Sequence, residues 1–168
     1  HMAARTSSYM KHSDEKLREL ILHIAKRSEK DVCFGAIKLN KLLFFSDFLF
    51  YLRFGKSITV QEYQRLEQGP APRRIKPLLN EMQRGKAIAQ KSIQFFTREQ
   101  IRTIPLREPI YGQFTKEELL LVDDLIQGFW NLRADEISEL SHGFVGWQVA
   151  KKGETIPYKH ALLGTRKP

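Results

Sequence analysis

Apolar side chains recur at three- and four-residue intervals through Leu17, Leu20, Ile21 and Ile24, which places them on one face of a helix. Ser13 stands ahead of this series as a candidate N-cap, followed by Asp14 and Glu15 where carboxylates complement the helix dipole. The pattern predicts a helix from Ser13 to about Ser28, then a connection over residues 30–36 that contains Gly35. From Ala36 to Phe54 the pattern changes: wound at about 100° per residue, this segment is apolar on nearly every side, the signature of a central, buried helix. Lys38, Lys41, Ser46 and Arg53 form one narrow strip that reads as its polar side. Asn40 and Asp47, seven residues apart, fall together on the opposite side among Leu43, Phe50, Tyr51 and Phe54. Gly55 stands where a left-handed C-cap is wanted.

Weaker alternation over residues 57–66 (Ile58, Thr59, Val60, Tyr63) allows a short extended segment, and Gly69-Pro70-Ala71-Pro72 reads as a firm break. A third helix is expected from about Arg73 to Arg84, with Ile75, Leu78, Leu79 and Met82 on one face, Pro77 tolerated near its start, and Gly85 as its stop. Residues 88–96 and 102–106 alternate and predict a hairpin connected by residues 97–100. Thr115-Lys116-Glu117-Glu118 is a capping-box pattern opening a helix to about Leu132, with another over Asp135 to His142. Residues 151–168 read as a tail laid over the domain and anchored by Tyr158, Leu162 and Leu163. Together these elements predict an α+β fold: a mainly helical single domain around a central apolar helix, with a small antiparallel sheet. His1 and Met2 read as a tag remnant and start, residues 1–12 as a flexible lead-in, and 13–168 as the domain.

Composition narrows the class. At 168 residues, 42% hydrophobic and 11% aromatic, the chain suffices for one core. Its densest apolar run, 42–54, is broken by Ser46, Asp47 and Arg53, short of the roughly 18 residues that span a bilayer, so no membrane partner is expected. Cys33 is the single cysteine, which rules out an intramolecular disulfide and fits a reducing cytoplasm; it reads as an inert, half-buried thiol beside Phe34. The net charge of +9 is uneven: nine basic against two acidic side chains over residues 73–107, two against eight over 108–150. Such blocks either pair with each other or steer charged partners.

Candidate chemistry is sparse. Neither a phosphate-cradling loop nor a GxGxxG turn occurs, and His1, His12, His23, His142 and His160 lack the paired spacing of metal sites. No cofactor or metal is expected. Ser141 and His142, with Glu139 or Asp135 near, have the residue types of a hydrolytic relay. Adjacent helical positions point about 100° apart, however, so no catalytic residue is assigned and the protein is not expected to be an enzyme. Asp47 should be buried and matched by Arg73, Arg74 or a backbone amide, and Trp147 should be a core anchor. Arg73, Arg74, Lys76, Arg84, Lys86 and Lys91 make a candidate phosphate-binding patch, which keeps a DNA-binding repressor as the alternative.

The run KLNKLLFFSDFLFYLRFGKSI, holding Lys38, Leu39, Asn40, Lys41, Leu42, Asp47 and Gly55, resembles the motif of the SocA-like Panacea antitoxins of bacteria and their phages. QGPAP, with Gly69 and Pro70, is similar to that family's Gly-Pro turn. LSHGFVGW, with His142 and Trp147, and GETIPY resemble its closing segments. Leu66 departs from the aromatic that many members carry before the turn, and residues 85–110 match no family pattern. The resemblance implies an antitoxin that neutralises a cognate protein toxin by direct binding, with some relatives presenting the toxin to a protease. It also implies that the motif residues serve the fold. Candidate partner contacts are Arg73, Arg74 and Lys76, which would steer an acidic partner, and Phe95 and Phe96 as aromatic anchors.

Overall fold

A computed structural model describes residues 2–166, with side chains from Met10 onward. The fold is α+β and mainly helical. Its elements in order are α1 (Met2–Arg27), α2 (Ala36–Phe54), β1 (Tyr63–Leu66), β2 (Gly69–Pro72), α3 (Ile75–Arg84), β3 (Ile88–Phe95) and β4 (Arg98–Pro105). There follow α4 (Lys116–Gly128), α5 (Ala134–His142), α6 (Val145–Val149), β5 (Thr155–Ile156) and a 3-10 turn (Tyr158–Leu163).

The helix expected to be central is so. α2 runs over the predicted residues, buries Leu39, Leu42, Leu43, Phe44, Phe48 and Phe50, and ends at Gly55, whose φ of 76° is the left-handed conformation a glycine C-cap supplies. Leu17, Leu20, Ile21 and Ile24 of α1, Leu78 and Met82 of α3, and Val122 and Ile126 of α4 join the same core. Thr115 opens α4 with a complete capping box, its hydroxyl accepting from the Glu118 amide and the Glu118 carboxylate accepting from its own.

Two small antiparallel sheets sit against the helices. In the first, of order β2-β1-β5, Tyr63 pairs with Pro72 on one side and Ile156 on the other. The second is the hairpin β3-β4, in which Phe95 faces Arg98 across a two-residue turn.

Several expectations are corrected. α1 begins at Met2, because the residues before Ser13 include no glycine or proline to break it. Ser13 is therefore no cap, and its hydroxyl donates to the Thr59 carbonyl at 2.7 Å. Gly69-Pro70-Ala71-Pro72 is a strand and no break: β2 lies at the sheet edge, where a missing N–H is tolerated. Residues 57–62 stay outside the sheet, α3 starts at Ile75, the hairpin turn is shortened to Phe96-Thr97, and α4 stops at Gly128 ahead of the left-handed Asn131. Cys33 is buried, not half-buried. In the C-terminal segment the buried anchors are Ile156 and Ala161, and the half-buried ring of Tyr158 packs on Phe48 as expected; Leu162 and Leu163 are exposed.

Candidate functional site

The motif segment gives α2 four polar side chains in one strip, which the helical period alone would turn toward solvent. The structure buries three of them: Lys38, Lys41 and Ser46 are each 2% exposed or less, and only Arg53 reaches water. The reason is that β2, α4, α5 and the C-terminal turn, as well as α1, pack around α2 over most of its length, leaving Leu49, Leu52 and Phe54 exposed in its C-terminal part.

Asp47 is fully buried and accepts four hydrogen bonds. Oδ1 receives the amides of Ile58 (2.9 Å) and Thr59 (2.8 Å); Oδ2 receives the Thr59 hydroxyl (2.5 Å) and the Tyr63 phenol (2.6 Å). Burial pushes its carboxyl above the ordinary range, with these donors pulling the other way. The carboxylate thus pins the loop after α2 and the first residue of β1 to the central helix. Of the partners expected from sequence, the backbone amide is the one found. Arg73 instead donates to the Gly153 carbonyl and Thr155, and Arg74 grips Asp14 through two contacts of 2.9 and 3.1 Å.

Lys38 and Lys41 are neighbours on α2 with different surroundings. The three protons of Lys38 meet three acceptors: Asp31 at 2.5 Å, the Phe129 carbonyl at 2.5 Å and the Leu132 carbonyl at 3.1 Å. Lys41 has the Pro70 carbonyl at 3.2 Å, and burial pushes its ammonium down to about 8. Gly69, at φ 121°, makes the room: a Cβ there would stand 2.9 Å from Lys41 Nζ and 2.7 Å from Ser141 Oγ, and would overlap Lys41 Cε. Asn40 of the same turn has a buried Oδ1 without a partner.

Ser141 and His142 are not turned to each other. Ser141 Oγ is buried and donates to the Ser138 carbonyl at 2.8 Å. His142 stacks on Trp147 at 4.0 Å, and Arg65 covers that indole at 3.9 Å. Burial first, then the charges of Lys41 and Arg65, hold the His142 imidazole below its ordinary value. Trp147 is 9% exposed, a packed residue with its Nε1 unpartnered. Among the described residues no three His, Cys, Asp or Glu side chains converge as metal ligands. Burial and the nearby Asp31 charge raise the Cys33 thiol, which reduces its reactivity.

Sequence reasoning missed Tyr63, Asp31 and Arg65. Asp31 carried the one available signal, since a buried lysine on an apolar helix requires a carboxylate within reach and Asp31 lies in the preceding loop.

The outer face differs in kind. Phe96 at the hairpin turn is 80% exposed, its ring edge-to-face on Phe95 at 4.7 Å, and its φ of 55° is a conformation that favours glycine. Ile101, Ile104 and Leu106, in and after β4, are also exposed. Phe95 and Ile101 line a cleft of about 210 Å³ with Gly35 and Ile37 at the start of α2. Arg73 and Arg74 line a separate cleft with Asp14 and Gln61, and Lys76 is exposed on α3.

The family described as antitoxin SocA-like, Panacea domain, matches residues 39–148. The chain belongs to this family. Comparison with curated proteins and with solved structures finds no match. The Panacea match takes in Asn40, Lys41, Ser46, Asp47, Gly69, His142 and Trp147, so the buried polar residues of α2 other than Lys38, the β1-β2 turn and the indole stack lie within the antitoxin-like domain. Lys38 and Asp31 precede the matched span, and β5 follows it. No helix among the described residues is long and apolar enough to cross a membrane.

Proposed function

We propose that this protein neutralises a cognate protein toxin by stoichiometric contact, in the cytoplasm and without turnover, and that the β3-β4 hairpin carries the contact. The observation behind this reading is Phe96. A bulky residue at positive φ costs about 1–3 kcal/mol of backbone strain, and apart from its edge contact with Phe95 the ring lies in water, so the isolated protein gains little from it. A binding surface gains a rigid aromatic anchor of the kind that dominates protein interfaces. The hairpin also presents open strand edges beside exposed Ile101 and Ile104. Membership of an antitoxin family supplies the class of partner. Stoichiometric action is favoured because Ser141 and His142, the adjacent residues of the most reactive types, are committed to different neighbours. Of the candidate phosphate-binding patch, Arg73 and Arg74 are engaged within the fold, which removes two of its six cations from the DNA reading, while Lys76, Arg84, Lys86 and Lys91 are exposed.

The test is to express the adjacent gene alone and together with this one. Growth arrest relieved by co-expression, with the two proteins co-purifying, is expected. Phe96→Gly should then leave the fold at least as stable, since glycine accepts the turn conformation, while weakening toxin binding about thirtyfold or more, the equivalent of about 2 kcal/mol. A neighbour harmless by itself, or rescue that persists when the proteins cannot associate, would overturn the reading and favour a repressor. Toxin is expected to persist in neutralised cells; its disappearance would mean presentation to a protease.

A further inference from the structure

The two buried lysines of α2 set up a comparison within one helix turn. Both ammonium groups are removed from water. Lys38 meets a carboxylate and two carbonyls, one acceptor for each proton. Lys41 meets one neutral carbonyl, and among the described residues no carboxylate pairs with it. A buried charge without a counter-ion is unfavourable. Here the surroundings keep the position open for a cation: Gly69 clears the space around Nζ. The side chain also does not end in a sealed core. It lines a cleft of about 200 Å³, together with Ile37, Asn40, Glu67, Gly69 and Ala71, between α2 and the β1-β2 turn. A carboxyl group, which needs far less volume, fits this cleft. Asn40 lines the same cleft, and its side-chain NH2 is the second group able to donate to a carboxylate; its Oδ1, an acceptor, takes no part in that contact. Two titratable groups face this neighbourhood from adjacent elements. His142 of α5 feels the Lys41 charge, and Glu67 of the turn lines the cleft but is exposed and forms no ion pair with Lys41.

We propose that the cleft between α2 and the β1-β2 turn receives one carboxylate of the toxin, from an aspartate or glutamate side group or from the toxin's own C-terminus, which completes the ion pair of Lys41. This rests on the toxin-binding reading above and adds a second, polar contact to the aromatic one at the hairpin. Desolvated and enclosed, such a pair favours partners that present an acid at this point and penalises those that present an amide or an apolar group there.

The experiment follows the ε-carbon resonance of Lys41 against pH, assigned by its absence in Lys41→Met. In the free protein the midpoint is expected at about 8. In the toxin complex it should rise by about 1–3 units, the effect of an opposite charge at contact distance. Lys41→Met should remain folded, because an apolar side chain suits the site, and should bind the toxin at least about tenfold more weakly. An unmoved midpoint in the complex, or unchanged affinity in a folded Lys41→Met, overturns the proposal. So does a midpoint in the free protein that falls on Glu67→Gln, since Glu67 would then be the counter-ion. If no toxin complex forms, the cleft is still read by titration in sodium acetate against sodium chloride at equal ionic strength. A rise in acetate alone supports a carboxylate receptor with a free small-molecule source, and no difference overturns it.

Discussion

Replacement of Asp47 tests the account of α2 most directly. In Asp47→Ala the amides of Ile58 and Thr59 lose their acceptor in a region where Ile58 is 1% and Thr59 0% exposed, so water does not replace it freely. The Thr59 hydroxyl can rotate, and the Tyr63 phenol keeps a second contact to the Leu43 carbonyl at 2.8 Å, so these two lose less. Two stranded buried amides at about 1–3 kcal/mol each give an expected destabilisation of about 2–6 kcal/mol, with about 4 kcal/mol as the central value. For a protein of this size that is a fall in melting temperature of about 10 °C. Asp47→Asn should cost about 1–2 kcal/mol, since its amide oxygen still accepts from both backbone groups while its NH2 confronts two hydroxyls that must reorient. The assay is thermal or urea unfolding of parent and both variants, with toxin binding measured at a temperature where all three are folded. An Asp47→Ala variant melting within about 2 °C of the parent would refute the reasoning. Parent-like stability combined with lost binding would make Asp47 a contact residue instead.

Lys38→Met should destabilise the protein by about 3–5 kcal/mol in urea unfolding, because it leaves the Asp31 carboxylate buried and unpaired; its contrast with the milder Lys41→Met distinguishes a completed ion pair from an incomplete one. His23 is 2% exposed between Tyr111 Oη (2.9 Å) and Asp123 (2.7 Å), and burial above all holds its imidazole below the ordinary 6.5. The unfolded state therefore binds this proton more readily than the folded one, so the stability from neutral His23 is complete above pH 6.5 and is lost as pH falls below it. Melting temperature between about pH 7 and 5 should drop more steeply in the parent than in His23→Gln, and equal slopes would refute the assignment.

Much of the fold is legible because its signals are local. The apolar circumference of α2, Gly55 as its cap and the Thr115 capping box depend on residues within a few positions of one another, and each appears as read. The strip Lys38, Lys41 and Ser46 escapes this reading because helical period gives direction but not what lies in that direction; β2 and α5 arrive from far along the sequence to cover it. The prolines of Gly69–Pro72 signal a break and prove compatible with a sheet edge, which sequence cannot distinguish from a turn without knowing the strand order. At the candidate site, the burial of Asp47 follows from its apolar neighbours. The identity of its donors, and the pairing of Lys38 with Asp31, depend on loop paths that no periodicity encodes.

Strand β5 lies beyond the matched span of residues 39–148, yet it pairs with Tyr63 and Gln64, the same strand that carries the phenol on Asp47. During synthesis, therefore, the outer edge of β1 stands open until these late residues have been made, and this long-range closure slows folding relative to the helical part. The unit that can be moved intact into another protein is accordingly longer than the unit recognised by sequence. A graft cut at residue 148 would carry the motif helix and the β1-β2 pair but leave the far edge of Tyr63, Gln64 and Arg65 unpaired, the kind of surface on which proteins aggregate.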